Sequence, residues 1–487
     1  MNVLFVSAEA APFAKVGGMA DVVGSLPAAL RRLGVDARVV IPGYGFIHHY
    51  DYNIHHFFSF DFPRRTGTTR THIYTTTRNG VPYYFVQGWP FFGSDSSVYT
   101  EWQYDVPRFL YFNQVVLEVA LHLRTREDWF PDLLHLNDWH TGLPPFLIHE
   151  NRNDPLWSKA ATVVTIHNIG YQGDHAGGWL WELGIPGRHH PDLVYQDLTD
   201  NLLAIALAYS DIITTVSPRY AIEIQYPSQG YGLDALIRRR LEDLYGILNG
   251  MDTDLLDPET DRALVSNFNA ENFAEKRPPN KTFLQKSAGL PVRDDVPVIG
   301  LVSRLVWQKG IDLALPALRT LLGETDVQFI ALGTGDPDLM VGLGRLEQDF
   351  GSKVRAYLRY NAASAQHIYA GCDLFLMPSH FEPCGMGQMI AMRYGALPLV
   401  RETGGLADTV TNYDNADADV GTGFVFLWEE VEAVLNTMRW ALDTYRNKQD
   451  AWRRMQQRAM RIDFSWDKSA RQYEVVYQRA LAKHKGK

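Results

Sequence analysis

Val3-Leu4-Phe5-Val6, followed closely by Lys15-Val16-Gly17-Gly18-Met19-Ala20-Asp21-Val22-Val23-Gly24, is the stretch that decides the fold. An apolar run without polar alternation is a strand covered on both faces, as in a parallel sheet layered with helices. The Gly17-Gly18 pair then opens an amphipathic stretch over 18–33. A strand, a glycine turn and a helix in that order place an anion-holding loop at the carboxyl end of the strand. Adjacent glycines let the backbone approach a ligand, and Lys15 adds a mobile positive charge. The turn is not Gly-x-Gly-x-x-Gly, and the chain has no Gly-x-x-x-x-Gly-Lys-Ser/Thr element, which disfavours a dinucleotide fingerprint and a nucleotide-triphosphate hydrolase.

The same alternation continues outward. Strands are expected at 37–42, 73–76, 83–86, 133–137, 161–165 and 212–216, with helices at 106–123, 202–209 and 218–224. Between 67 and 80 the pattern turns antiparallel, with Arg78-Asn79-Gly80 as the hairpin turn. The segment 246–296 carries turns, scattered charge and the polar run Glu275-Lys276-Arg277-Pro278-Pro279-Asn280-Lys281, which reads as an extended stretch at a domain boundary. A second α/β pattern then begins. Its strands are expected at 298–303, 328–333, 354–357, 374–378 and 397–401, with helices at 311–322, 336–350, 363–370 and 387–394. Helical runs at 430–443, 448–461 and 467–481 close the chain, and Lys483-His484-Lys485-Gly486-Lys487 reads as a frayed solubilising tail. The expected domains are 1–245, a linker at 246–296, 297–460, and a C-terminal helix within 461–487 that packs back on the first domain. The fold class is α/β: two Rossmann-like domains facing each other across a deep interdomain cleft lined by the carboxyl ends of both sheets.

A chain of 487 residues exceeds one ordinary core. The net charge of -10, with dispersed Lys and Arg, argues against nucleic acid as the main partner but not against a phosphorylated small molecule. Two cysteines, Cys372 and Cys384, are too few for a disulfide scaffold, so a reducing compartment is expected. No basic leader precedes an apolar segment, and no apolar run reaches about 18 residues, so a cytoplasmic protein without membrane contact is expected.

Polar clusters fall just after strands. Asn137-Asp138-Trp139-His140 follows 133–136, and His167-Asn168 follows 163–166. Ser303-Arg304-Leu305, with Lys309-Gly310 beyond, follows 300–302, and Gly333-Thr334-Gly335-Asp336 follows 330–332. Ser379-His380-Phe381-Glu382-Pro383-Cys384-Gly385 follows 375–377, and Thr403-Gly404-Gly405 follows 399–400. Singly each could be turn chemistry: Gly333 and Gly335 a strand-to-helix turn, Arg304 and Lys309 partners of Glu324 or Asp312. Together they point to chemistry with a phosphate leaving group and no metal. Arg304 and Lys309 can neutralise a diphosphate as it departs, and Gly17, Gly18, Gly404 and Gly405 can add backbone N–H donors.

The histidine pairs His48-His49, His55-His56 and His189-His190 lack the spacing of metal ligands. Asp138 and His140, two apart, could share one face of an extended strand end and suit substrate hydroxyls as well as a metal. A catalytic thiolate at Cys384 is disfavoured, since a neighbouring carboxylate raises a thiol pKa; Glu382 is the better working group. Trp102, Tyr104, Trp139, Tyr171, Trp179 and Trp181, in or beside expected loops, are core anchors or faces for a sugar chain.

Lys15 to Val22, Asp138-Trp139-His140-Thr141-Gly142, His167 to Gly173, Asn249-Gly250-Met251-Asp252, Ser303 to Gly310, Glu382-Pro383-Cys384-Gly385, Thr403 to Val410 and Phe464-Ser465-Trp466-Asp467 together resemble bacterial glycogen synthases and plant starch synthases, in family order and over effectively the whole chain. The resemblance implies a GT-B glycosyltransferase with a glucan-acceptor domain first and a nucleotide-sugar-binding domain second. It implies retaining transfer of glucose from ADP-glucose to the 4-hydroxyl at the non-reducing end of an α-1,4-glucan, without cofactor or required metal. Its partners would be the nucleotide sugar and glycogen or maltooligosaccharide. By the same resemblance His167, Arg304, Lys309 and Glu382 are catalytic. Lys15, Gly17, Gly18, Asp21, Asn249, Gly385, Thr403, Gly404 and Gly405 bind the nucleotide sugar, and Asp138, His140, Asn168 and Tyr171 bind the acceptor or sugar. Val16, Met19 and Gly387 depart from the commonest bacterial pattern, which has Thr, Leu and Thr there. UDP-glucose as the preferred donor, a glucan phosphorylase and a non-enzymatic glucan-binding protein are the competing readings.

Overall fold

The computed structural model describes residues 1–359, 361–415 and 419–486. Contacts divide the chain into two units: residues 1–250 with the helix Trp466–Lys485, and Met251–Ser465.

The first unit is built on a nine-stranded sheet. Its strands are β1 (Asn2–Val6), β2 (Asp36–Pro42), β3 (His55–Arg64), β4 (Gly67–Arg78), β5 (Val81–Gly88), β6 (Leu133–Asn137), β7 (Ala161–Ile166), β8 (Ile212–Thr215) and β9 (Leu244–Gly246). They lie in the order β3-β4-β5-β2-β1-β6-β7-β8-β9, parallel except for the antiparallel β3-β4-β5 ribbon. The hairpin at 78–80 forms as its sequence requires: Asn79 (φ 50°) and Gly80 (φ 74°) both take positive φ between paired Arg78 and Val81. Strand β3 is not legible in the sequence, because it is an edge strand with a register shift between His56 and Phe58 that breaks period-two alternation. Strand β1 lies between β2 and β6, so the order reverses there and leaves the loops after β1 and β6 side by side.

The helix Trp466–Lys485 buries Ala470, Tyr473, Val476, Tyr477 and Ala480, a helical stripe, within this unit. Tyr477 Oη lies 2.7 Å from Nδ1 of buried His135. The closing basic residues are not a frayed tail as far as 484: Lys483 pairs with Asp243, and His484 Nδ1 lies 3.1 Å from Asp211 Oδ2. Lys487 lies outside the described residues.

The second unit carries six parallel strands: β10 (Val298–Val302), β11 (Gln328–Leu332), β12 (Val354–Tyr357), β13 (Leu374–Met377), β14 (Leu397–Arg401) and β15 (Phe424–Phe426). The order β12-β11-β10-β13-β14-β15 reverses at β10, which sets the loops after β10 and β13 side by side. The polar run at 275–281 is not an extended boundary. Pro278 and Pro279 open the helix Pro278–Ser287, where a missing N–H costs nothing. Phe268, Phe273 and Leu284 join Ile368, Phe375 and Tyr394 in the unit's core. Buried Lys281 meets Asp373 at 2.8 Å, and Arg277 Nε donates to the Tyr394 carbonyl at 2.8 Å. Two charges of the run, Arg277 and Lys281, are thus satisfied inside the unit, while Glu275 and Lys276 are exposed. Among the described residues no helix is long and apolar enough to cross a membrane.

Candidate active site

In the second unit the chain leaves β10 through Ser303-Arg304-Leu305 and a 3-10 turn, Trp307–Lys309. Gly310 follows at φ 66°, and a Cβ there would fall 1.9 Å from the Pro378 carbonyl oxygen. Only glycine allows this approach of the β10 loop to the β13 loop. Its result is an ion pair: Lys309 Nζ lies 2.6 and 2.8 Å from the two oxygens of Glu382, and Ser379 Oγ donates to one of them at 3.0 Å. Glu382 is 4% exposed, so its charge depends on these partners. The loop after β14 closes on the same carboxylate residue from behind. Gly404 (φ 43°) would place a Cβ 2.0 Å from the Glu382 carbonyl, and Gly405 donates its N–H to that carbonyl at 3.1 Å. Gly385 (φ 72°) turns the chain beside Glu382, and Thr403 is buried. Gly333 and Gly335 serve close packing: their Cβ positions fall 2.0 and 2.2 Å from the carbonyl oxygens of Ser303 and Leu305.

The alternative partners for the cations are taken. Glu324 holds Arg439 at 2.6 Å, and Asp312 holds His380 at 2.9 Å. Arg304 is exposed, and its guanidinium has no hydrogen-bond or ion-pair partner among the described residues. His380 and Gln388 are supports that motif reading passes over. His380 lies between Asp312 and Glu429 and stacks on Trp307 at 4.2 Å and 8°. Gln388 Nε2 donates to the Cys384 and Gly385 carbonyls at 3.0 and 3.1 Å, while its buried Oε1 has no partner among the described residues. The only sequence signal for His380 was its place in the Glu382 loop. At Gly387, an added Cβ would meet Phe375 at 3.0 Å and Met377 Sδ at 3.3 Å, so local packing explains the missing threonine.

In the first unit the loops after β1, β6 and β7 bear the other residues, except Asn249, which follows β9. Asp138 (φ 56°, ψ −173°) sits in strained backbone, held by its N–H to the Thr165 carbonyl at 3.0 Å. Its Oδ1 accepts the His167 N–H at 2.7 Å and the Asn168 N–H at 3.4 Å. Burial pushes the Asp138 carboxyl up to about 7 despite those two donors. His167 Nε2 lies 2.9 Å from Asn137 Oδ1, while Asn137 Nδ2 donates to the Val6 carbonyl at 2.9 Å. The Asn137 oxygen therefore accepts, His167 carries its proton on Nε2, and Nδ1 is left as an acceptor. Burial lowers His167 to about 3, so the ring is neutral.

Asp138 and His140 do not share a strand face. Trp139–Thr141 forms a 3-10 turn that sends Asp138 toward 167–168 and the His140 ring against Tyr99, at 5.1 Å. His140 Nδ1 and Asn249 Oδ1 are buried without partners among the described residues, while Asn168 Oδ1 accepts the Gly170 N–H at 3.0 Å. Tyr171 is 61% exposed, and Trp102, Tyr104 and Trp181 are also exposed; Trp139 is buried.

The opening turn corrects one expectation. Lys15 Nζ pairs with Asp21 at 2.6 Å. The Gly17 N–H is not offered to a ligand: with the Val16 N–H it donates to Glu9 Oε2, at 2.9 and 2.6 Å. A Cβ on Gly17 or Gly18 would meet nothing within 4 Å, so their faces are open. Among the described residues no three His, Cys, Asp or Glu side chains gather as a metal centre would.

Comparison with known proteins meets this geometry. Residues 2–239 match the starch synthase catalytic domain, and residues 283–459 match glycosyl transferases group 1. A glycogen synthase of Moorella thermoacetica is 40% identical, aligned over 100% of this chain and 98% of its own. The chain belongs to the glycogen synthase and starch synthase family. A Streptococcus sanguinis glycogen synthase is 41% identical over 99% of this chain and 100% of its own. The solved catalytic domain of Arabidopsis thaliana starch synthase IV, bound to ADP and acarbose, superposes with a TM-score of 0.89 at 34% identity, covering 99% of each chain. The two Rossmann-like sheets are thus those of a GT-B-type α/β fold. Sucrose-phosphate synthase from Thermosynechococcus elongatus, at 16% identity and a TM-score of 0.62, shares the fold alone.

Proposed function

We propose that this chain transfers glucose, with retention, from ADP-glucose to the 4-hydroxyl at the non-reducing end of an α-1,4-glucan. The observation that carries the reading is the Lys309–Glu382 pair where the second sheet reverses, with Arg304 unpaired beside it among the described residues. Arg304 supplies a planar cation for the diphosphate, and Lys309 a compact one that exchanges its carboxylate for phosphate oxygens. Glu382 orients the donor glucose from a loop shaped by Gly385, Thr403, Gly404 and Gly405, the last of which spends its own N–H on the Glu382 carbonyl. On the first unit Lys15, with Asp21 as its resting partner, adds charge at the donor, and Gly18 offers open backbone. Neutral His167 accepts a sugar hydroxyl at Nδ1. His140 and Asn249, with their unpartnered atoms, and Asp138, Asn168 and Tyr171 take further sugar hydroxyls or faces. The glucosyl group passes on one face of the sugar without a protein nucleophile, and no cofactor or metal is invoked in any of these steps. The place of action is the cytoplasm, in keeping with a chain that carries only two cysteines.

Purified protein incubated with glycogen and labelled ADP-glucose is expected to extend the glucan and release ADP faster than UDP from UDP-glucose. Faster turnover with UDP-glucose would overturn the donor assignment. Binding of glycogen with no turnover of either donor would favour a glucan-binding protein.

A further inference from the structure

Glu9 belongs to none of the motifs that mark the site, yet it organises the opening turn. It lies three residues beyond β1, is 3% exposed, and has no lysine or arginine paired with it among the described residues. A buried carboxylate without a counter-ion persists only if hydrogen bonds replace its water. Here they do. Oε2 accepts the successive N–H groups of Val16 and Gly17 at 2.6 and 2.9 Å, and Oε1 accepts the Tyr99 hydroxyl. Two consecutive amides converging on one oxygen form an anion-holding nest of the kind that elsewhere takes phosphate.

The far side of this contact is itself fixed. The Thr100 N–H and hydroxyl donate to Asp105, at 3.1 and 2.7 Å; Asp105 pairs with Arg108 at 2.6 Å, and Arg108 with Asp95 at 2.8 Å. The Tyr99 ring stacks on His140, so Glu9 ties the glycine turn to the loop that backs the sugar-facing residues.

We propose that Glu9 is a positioning residue whose carboxylate fills the nest of the glycine turn and so sets where Lys15 and the open faces of Gly17 and Gly18 meet the nucleotide sugar. The proposal rests on the glucosyl-transfer reading for its consequence in activity, though not for the contact. It reassigns the turn: the ligand meets Lys15 and open backbone, while the first two amides are satisfied internally.

The test uses the full chain with Glu9→Gln, which keeps an acceptor oxygen, and Glu9→Ala, which empties the nest. Hydrogen exchange of the 10–20 segment in the free protein and the donor KM at saturating glycogen are read with and without sodium formate, against sodium chloride at equal ionic strength. Glu9→Ala is expected to speed exchange at Val16 and Gly17 and to raise the donor KM about tenfold with a smaller change in kcat, as for a misplaced substrate-facing loop. Formate, entering the emptied nest, should reverse both effects. Glu9→Gln should recover most of the protection and of the KM.

Wild-type exchange and KM in Glu9→Ala would overturn the proposal. So would a defect that formate leaves untouched, or a Glu9→Gln defect equal to that of Glu9→Ala. If Glu9→Ala does not fold, Glu9→Asp carries the test, since a carboxylate one methylene shorter cannot reach both amides; unchanged exchange there overturns the proposal equally. The exchange arm needs no turnover, so an inactive wild type would sink the glucosyl-transfer reading while leaving the seating of the turn to be decided.

Discussion

Lys309 and Glu382, 73 residues apart in the chain, meet with Nζ 2.6 and 2.8 Å from the two carboxylate oxygens. The pair forms because β10 and β13 are sheet neighbours and Gly310 lets their loops touch. It joins the group proposed for the diphosphate to the group proposed for the glucose. Glu382→Ala should therefore lower turnover by about 100-fold, the loss that follows when a reacting sugar is no longer held in register. Steady-state kinetics with ADP-glucose and glycogen check this; an unchanged kcat would remove Glu382 from the reaction.

Arg304 separates activity from stability. Its guanidinium is exposed and has no partner among the described residues, so Arg304→Ala should change folding stability by no more than about 0.5 kcal/mol. Turnover should nonetheless fall by about 100-fold, because an aimed cation at the leaving group is lost. Denaturation and initial-rate measurements on the same preparation decide it.

The glycines divide by what an added methyl would meet. Gly404 has φ 43° and its Cβ would sit 2.0 Å from the Glu382 carbonyl, so Gly404→Ala should destabilise the second unit by about 2 kcal/mol or more and abolish activity. A Cβ on Gly18 meets nothing within 4 Å, so Gly18→Ala should fold like the wild type and raise the donor KM about tenfold if a ligand approaches that face. Melting curves and donor titrations distinguish the two.

The pH dependence of the first unit has a definite sign. Burial lowers His135, His140 and His167 to about 3. Their ordinary value is about 6.5, so below that pH the unfolded chain takes up three protons that the folded unit refuses. Their stabilising contribution is complete above 6.5 and drains away as pH falls toward 3. Asp138, raised to about 7, works the other way: its penalty is full above 7 and disappears as pH falls toward 4. Three histidines against one carboxyl leave a net loss of about 3 kcal/mol per pH unit between roughly 6 and 4. Urea denaturation followed by a first-unit probe should show stability falling across that window, and Asp138→Asn, which keeps the acceptor for the His167 and Asn168 amides, should steepen the fall. A flat profile would mean that two of these histidines ionise in the folded unit, leaving the third to balance Asp138.

The short runs that are apolar on both faces, such as Val3–Val6 and 298–302, identify parallel strands because every position of such a strand is covered, a property local to each run. The Asn79-Gly80 turn was legible for the same reason, since positive φ at two successive positions selects those residues. Strand β3 was not, because its bulge erases the alternation, nor was the helix Pro278–Ser287, whose Lys281 is buried against Asp373 far along the chain. Resemblance in sequence singled out Lys15, His167, Arg304 and Glu382 as candidate site residues, without saying what each touches.

By itself, then, the sequence determined the alternation of strands and helices, the placing of polar clusters after strands, and the glycine turn of residues 15–24. Only the tertiary structure decided which polar groups meet. Lys309 reaches Glu382, Asn137 sets the tautomer of His167, and Glu9 takes the amides first read as open to a ligand. The physical reason is that hydrophobic period is a property of neighbouring residues, whereas a hydrogen bond or ion pair depends on sheet order and on backbone contacts such as that of Gly310 with Pro378.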